Sequence, residues 1–300
     1  MFTKNTSLII PTKNRSEQIK ELINKLFFLK LEFSEIIIVD SSNINHSEKN
    51  KEQCQKYNLS YYHTKASTSY QRNFGLTKIK LNNFVMFMDD DVIFFEDTFK
   101  KMDQCINEYS DDKNITGFGF NQIENVNNSF FENLKKNSVI KHLKIYPSLP
   151  GKIAKSGWHS KILNLKEDVL ADWVFTTICI YKRKEIENLK FDETFGEYSY
   201  LEDLDFSLNL TKDNKNIYIS SEAKFLHPKN IDRSSFSFGI VEIVNRYKII
   251  KKHKLSKKLF IVGALLRFFM SLIKSLSFNK KYFFRSLGNI YSLLILLRNK

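Results

Sequence analysis

Three consecutive carboxylates, Asp89-Asp90-Asp91, follow the apolar run Phe84-Val85-Met86-Phe87-Met88. Adjacent carboxylates repel one another, and a hard divalent cation such as Mg²⁺ or Mn²⁺ relieves that repulsion by taking their oxygens as ligands. The apolar run is too short for a helix and is expected to be a buried strand of a parallel sheet. In open α/β sheets, ligands bind beyond the carboxyl ends of the strands. The triplet is therefore delivered to the place where such folds do chemistry. The alternative is an acidic, solvated turn leading into a helix, because Glu96 and Asp97 continue the acid run. A second acidic cluster, Leu201-Glu202-Asp203-Leu204-Asp205, opens a segment in which Leu201, Leu204 and Leu208 have helical spacing. Acids at that helix start are favoured by the macrodipole.

The elements that must position these acids alternate between strand and helix. Ser7–Ile10 is an apolar strand, closed by Pro11-Thr12-Lys13-Asn14-Arg15. Ser16 is expected to cap a helix carrying Ile19, Leu22, Ile23, Leu26 and Phe27 at helical spacing. Ile36–Val39 is a second strand, ending in the turn-forming Asp40-Ser41-Ser42-Asn43. Leu59–His63 is expected as a third strand, Thr68–Lys80 as a helix and the Phe84 run as a fourth strand. Repeated βα units of this size imply an α/β fold with a mostly parallel sheet and right-handed crossovers. Beyond them the sequence predicts a strand over Ile115–Phe120, an Asn- and Lys-rich insertion over Asn121–Lys166 and a strand over Val174–Tyr181. A short helix over Lys182–Leu189 and two late strands, Ile217–Ile219 and Ala223–His227, complete a domain expected to span residues 1–235. Residues 236–300 form an expected helical extension, with a break near Phe278-Asn279.

A hydrophobic content of 42%, with 27 Phe and 13 Tyr, supplies a core and excludes a disordered chain. Three cysteines without CxxC spacing argue against a disulfide framework or a zinc site, and the absence of an apolar leader makes the cytoplasm the expected location. The net charge of +14 is unevenly spread: after Glu242 there is no acid and there are fourteen Lys and Arg, so residues 1–242 are neutral overall. A neutral body with a basic tail is not expected to bind nucleic acid. Arg267, Lys274 and Lys281 recur every seven residues and share one helical face, opposite an apolar one. No run of ~20 apolar residues lacks a charge. The tail is therefore expected to lie peripherally on an anionic membrane surface, at the inner face of the cell membrane, or else to pack on its own domain.

Five segments, in this order, carry a resemblance: Ile9-Ile10-Pro11-Thr12-Lys13-Asn14-Arg15, Ile38-Val39-Asp40-Ser41-Ser42, Tyr70-Gln71-Arg72-Asn73-Phe74-Gly75, Met88-Asp89-Asp90-Asp91 and Leu201-Glu202-Asp203-Leu204-Asp205. Together they resemble the family 2 glycosyltransferases of the GT-A fold, over roughly residues 7 to 230. The resemblance implies that Pro11, Thr12 and Arg15 cradle the nucleotide, that Asp40 accepts hydrogen bonds from the base and that Arg72 and Asn73 support that pocket. It places Asp89 and Asp91 at the outer positions of a DxD motif that binds Mn²⁺ or Mg²⁺ against the diphosphate, with Asp90 on the nucleotide or donor-sugar side. Asp203 matches the base of an inverting enzyme, with Glu202 beside it, and His227 matches a late metal ligand. Asp205 is a surface charge or a supporting group, and Trp158 and Trp173 either stack on sugar or acceptor or belong to the core. The implied partners are a nucleotide-sugar donor, UDP-type, and a glycan or lipid-linked acceptor of bacterial surface polysaccharide assembly. Relatives often carry a Gly-rich turn where this chain has Trp173–Cys179 without glycine, which leaves the donor sugar open. Two rival readings are a metal-dependent nucleotidyltransferase-like enzyme, which would want a Gly-rich phosphate loop, and a non-catalytic basic protein binding membrane or nucleic acid.

Overall fold

Among the described residues, nine strands build one sheet: β1 (Thr6–Thr12), β2 (Glu35–Asp40), β3 (Ser60–His63), β4 (Phe84–Met88), β5 (Ile93–Phe94), β6 (Ile115–Gln122), β7 (Val169–Ala171), β8 (Ile178–Lys182) and β9 (Asn216–Leu226). This is a computed structural model, and it describes residues 1–80, 82–124, 144–228, 232–277 and 279–298. The strand order is β3-β2-β1-β4-β8-β6-β9-β5, with β7 also paired to β9. β3, β2, β1 and β4 are parallel, as the βα alternation demands. β8 then runs antiparallel between β4 and β6, and β9 returns parallel to β6.

The helices are α1 (Ser16–Phe28), α2 (Ile44–Lys56), α3 (Thr68–Leu76), α4 (Thr98–Tyr109), the short α5 (Arg183–Ile186) and α6 (Glu202–Leu210), followed by α7 (Phe236–Lys252), α8 (Lys257–Ser277) and α9 (Tyr282–Arg298). α1 buries Ile19, Leu22, Ile23 and Leu26 of its expected stripe against a core that includes Leu8, Ile10, Ile38 and Met86, while Phe27, the fifth residue expected there, is exposed. All seven residues of β1 are buried. Pro11 fits inside it because pairing with β4 ends at Ile9↔Phe87, so the missing N–H of the ring costs no ladder bond there.

Several boundaries differ from expectation, each for a local reason. Ser16 is the first residue of α1 and not its cap, and its Oγ lies 2.9 Å from Nδ1 of His46 on α2. α3 stops at Leu76, where Thr77 Oγ1 donates to the carbonyl of Phe74 and draws the chain out of the helix. β8 begins at Ile178, four residues after the start expected from the apolar run. The carbonyl of Thr177 accepts instead from the Asp89 N–H, so this stretch turns toward the acidic triplet. The two late strands are one, β9, bulged where its register against β6 jumps from Phe120↔Ser220 to Asn121↔Lys224. Asn121 Nδ2 donates to the Ser221 carbonyl freed by the bulge.

The chain divides into two compact units, one within Met1–Glu124 and Ile162–Pro228, the other within Asn125–Lys161 and Lys229–Lys300. In the second, Trp158 stacks on Phe260 of α8, and α9 packs on both α7 and α8. The expected break near residue 278 falls between α8 and α9, with Phe278 itself outside the described residues, as is the 125–143 part of the expected insertion. Among the described residues, one helix, over Lys257–Leu276, is long and apolar enough to cross a membrane by length and composition. The cysteines Cys54, Cys105 and Cys179 are all buried and free.

Candidate active site

β2 and β3 lie on one side of β1 and β4 on the other, so the sheet switches direction between β1 and β4. Open α/β sheets bind ligands in the crevice beyond the strands at such a point. Here the loop after β1 meets the triplet after β4. Thr12 Oγ1 donates to Asp90 Oδ2 at 2.6 Å, and Arg15 Nη1 donates to Asp90 Oδ1 at 2.9 Å and to Asp91 Oδ2 at 2.7 Å. Asp90 is buried, and that burial pushes its pKa up to about 6 despite Thr12 and Arg15. Burial also opposes ionisation of Asp91, but the hydrogen bond and charge of His227, joined by Arg15, outweigh it and hold the pKa below the usual carboxylate range.

His227 follows β9 directly, and its Nε2 lies 2.9 Å from Asp91 Oδ1. Burial lowers the pKa of the imidazole, but Asp91 and then Asp89 overcome that, and the net shift is upward. Ligand atoms of Asp89, Asp91 and His227 lie within 4.8 Å of one another. Two carboxylates and an imidazole form a donor set suited to Mn²⁺ or Mg²⁺, and three ligands leave coordination positions open for oxygens of a substrate. The acids Asp89, Asp90, Asp91, Glu202 and Asp203 outnumber Arg15 and Arg72 here, so the site favours a cation.

Arg72, on α3, is buried and ties the two acidic clusters together. Its Nη2 donates to Asp89 Oδ1 at 2.8 Å, and its Nη1 donates to Glu202 Oε1. Glu202 Oε1 also accepts from Thr176 Oγ1 at 2.8 Å. Burial pushes the Glu202 carboxyl up, with the Arg72 charge pulling against it. Asp203, the next residue, is half-buried on the first turn of α6, where its Oδ1 accepts from the Leu204 N–H. Leu201 enters that turn at φ 73°, a left-handed conformation that costs a leucine about 1–2 kcal/mol. The turn is held from α3, where the Ser69 hydroxyl lies 3.0 Å from that of Ser199.

The remaining expected residues are placed as follows. Asp40 ends β2 fully buried, with Oδ1 accepting from the Ser42 N–H and Oδ2 from Asn50 Nδ2 and the Tyr61 hydroxyl. Asn73 pins the segment before α6, exchanging hydrogen bonds with the Phe191 backbone and donating to Glu193. Pro11 is enclosed in β1 just ahead of Thr12. Trp173 is 1% exposed and packs edge-on to Phe175 at 4.6 Å, and Trp158 is buried with Tyr146 and Phe260. Both tryptophans are packing residues, not open stacking platforms. Asp205 is fully buried, which excludes a surface charge.

Two residues that position the site carried no role in the sequence. Gln71 Nε2 donates to the carbonyls of Thr12 and Val39, joining the ends of β1 and β2. Its place beside Arg72 was the available signal. Thr176 lay inside a run that resembled a strand, and nothing in the sequence pointed it at Glu202.

The family model described as glycosyl transferase family 2 matches residues 7–164, just over half the chain and the whole β1-to-β6 half of this site. The chain belongs to glycosyl transferase family 2. No curated protein matches the sequence. Among solved structures, this family 2 chain is similar to the mannosyltransferase PcManGT from Pyrobaculum calidifontis in complex with GDP-Man and Mn²⁺, at 12% identity and a TM-score of 0.57, covering 99% of this chain and 88% of that one. It is also similar to S. aureus TarS 1-349 in complex with UDP-GlcNAc, at 17% identity and a TM-score of 0.52, over 98% and 92% of the two chains. GalNAc-T7 with UDP, GalNAc and Mn²⁺ aligns at 13% identity and a TM-score of 0.57, over 82% of this chain and 47% of that one. At these identities the likeness establishes the GT-A fold of the family 2 transferase.

Proposed function

We propose that this family 2 enzyme is a metal-dependent, inverting glycosyltransferase that moves a sugar from a nucleoside-diphosphate donor, UDP-type, to a hydroxyl of a glycan or lipid-linked acceptor. The observation that carries this reading is Arg72, which joins the carboxylate of a cation-ligating cluster to the acidic start of α6. Asp89, Asp91 and His227 would hold Mn²⁺ or Mg²⁺, whose charge would neutralise the departing diphosphate. Asp203 accepts the proton of the acceptor hydroxyl, a role worth typically ~10²–10⁴-fold in rate. The acceptor oxygen then bonds to the anomeric carbon as the bond from that carbon to the diphosphate oxygen breaks, which inverts the centre.

Arg15 is positioned to follow the charge. Its side chain is partly exposed and reaches Asp90 and Asp91, so with Asp91 committed to a cation the guanidinium would keep Asp90 and could turn its remaining N–H groups to a phosphate oxygen. Thr12 and Asp90 shape the floor beside it, and Asp40 and the α3 pair Arg72 and Asn73 form the nucleotide side. The complexes of TarS with UDP-GlcNAc and of GalNAc-T7 with UDP support a uridine nucleotide. A basic C-terminal segment without acids after Glu242 supports a peripheral position on the inner face of the cell membrane, where lipid-linked acceptors of polysaccharide biosynthesis are met.

Calorimetry with UDP in the presence and absence of Mn²⁺ tests the reading. Metal-dependent UDP binding is expected; its absence in the wild type would sink it. Asp203→Asn should keep that binding and lose transfer.

A further inference from the structure

The last two helices are inverted in polarity relative to a helix that meets water. α9 turns Phe284, Leu287, Tyr291, Leu294 and Ile295 outward. Its buried face holds Arg285, Ser286, Asn289 and Ser292. α8 likewise exposes Val262, Leu265, Phe269, Ile273 and Leu276, the last at 81%, while Ser271 and Ser275 are buried. A surface helix in water places its polar residues outside; this hairpin places them inside.

The charges that interrupt the apolar sequence are also turned in. Arg267 Nε lies 2.9 Å from Oε1 of Glu242 on α7, and Arg285 Nη2 lies 2.9 Å from Oε2 of the same carboxylate. Asn289 Nδ2 donates to that Oε2 at 3.2 Å. The expected basic stripe of Arg267, Lys274 and Lys281 therefore does not form an outer face, because Arg267 is an inward partner and Lys274 lies 3.8 Å from the Tyr282 ring. What remains exposed and charged sits at the hairpin's ends: Lys257, Lys258 and Arg298 at one, Lys280 and Lys281 at the other. α7 and α9 meet backbone to backbone at Gly239 and Gly288, where any Cβ would strike the facing helix. Small residues at helix contacts and polar groups bonded inside the bundle are the packing found where the surroundings are hydrocarbon.

We propose that the α8–α9 hairpin docks into the acyl-chain layer of an anionic bilayer, with its apolar faces against lipid and its terminal lysines at the headgroups. The occupant follows from three observations: an apolar face on two adjacent helices, exposed lysines and arginine only at their ends, and no acid after Glu242 to repel a phosphate. The lengths agree as well. At 1.5 Å per residue α8 rises ~31 Å and α9 ~25 Å, close to the ~30 Å of a hydrocarbon core. This rests on the membrane-bound reading above but differs from it in mechanism: burial of apolar surface, not charge, holds the protein.

The test is sedimentation of the full chain with vesicles of phosphatidylcholine containing a quarter phosphatidylglycerol. The expected result is that the protein stays with the vesicles through molar sodium chloride and alkaline carbonate. The double substitutions Leu265→Ser/Phe269→Ser and Leu294→Ser/Ile295→Ser should each shift most of it to the soluble fraction, while Lys280→Gln/Lys281→Gln should not. Release of the wild type by salt overturns the proposal, because charge alone would then be the attachment. A lipid-free dimer that the same serine substitutions dissociate, with no vesicle binding, assigns the face to a second copy and also overturns it. Phe284→Trp fluorescence, quenched by brominated acyl chains if the proposal holds and unquenched if it fails, gives a readout independent of the serine variants' folding. Mn²⁺-dependent UDP binding measured on the same preparations decides the transferase reading separately, whatever the vesicles show.

Discussion

His227 Nε2 lies 2.9 Å from Asp91 Oδ1 although the two residues are 136 positions apart in the chain. The contact closes a three-ligand set with Asp89 and makes the end of β9 part of the site. It also fixes how the site responds to protons.

Mn²⁺ binding should strengthen as pH rises. Asp91 and Asp89 raise the His227 pKa, so the metal-free imidazole keeps its proton above its ordinary range, near ~6.5, and a cation must displace it. In calorimetry, Mn²⁺ affinity should climb and proton release fall as pH passes through the raised pKa. His227→Ala should flatten that dependence and weaken Mn²⁺ by more than the about 10–100-fold typical of losing an outer partner.

Asp90 gives the metal-free protein a pH-dependent stability of the opposite sense to an ordinary paired carboxylate. Its native pKa, about 6, lies above the unfolded value, so the native state holds the proton more tightly. Its contribution is fully present below ~4 and is lost as pH rises through about 6. Urea unfolding at pH values on either side of this window should show wild type losing up to about 3 kcal/mol relative to Asp90→Asn.

Breaking the Arg72–Glu202 pair should affect metal and fold together. Both groups are buried, and removing one partner of such a pair typically costs ~3–5 kcal/mol. In Glu202→Gln, Arg72 loses that negative partner and leans more heavily on Asp89, and Mn²⁺ should bind more weakly. Asp203→Asn, one residue along, should leave Mn²⁺ affinity and thermal stability near wild type. If Glu202→Gln left metal affinity unchanged, Arg72 would not be transmitting the effect.

Gly75 sets how closely α3 approaches β1. A Cβ there would sit 2.6 Å from Cγ2 of Ile9, in a buried strand that cannot give way. Gly75→Ala should destabilise by ~1–3 kcal/mol through overpacking and displace Arg72, lowering Mn²⁺-dependent UDP binding. Adding Ile9→Ala should recover part of both losses, which a double-mutant cycle would measure.

Glu242, itself buried, is the counter-charge to the half-buried Arg267 and the buried Arg285 in the helical unit. Glu242→Ala should destabilise that unit by ~3–5 kcal/mol, visible as a loss of thermal stability. Mn²⁺-dependent UDP binding in the other unit is the control.

Short-range pattern was enough for β1, β2, β4 and α1, because those strands centre on apolar runs and α1 has one apolar stripe, whereas α2, which buries only Asn50 and Cys54, carried no such stripe to announce it. The sequence also determined which carboxylates could bind a cation, since Asp89-Asp90-Asp91 follow a strand end whatever surrounds them. Tertiary structure decided what the sequence could not, because those features depend on partners far along the chain. Arg72 became a buried bridge when α3 met both Asp89 and Glu202, and Thr176 faced Glu202 when its apolar neighbours bent out of β8. The direction of the tail's basic residues was hidden for the same reason: a period of seven says that Arg267 and Lys274 share a face. Only Glu242, on another helix, shows that Arg267 turns inward. Local patterns follow from the short-range geometry of strands and helices, while the pairing of charges depends on which of those elements come into contact.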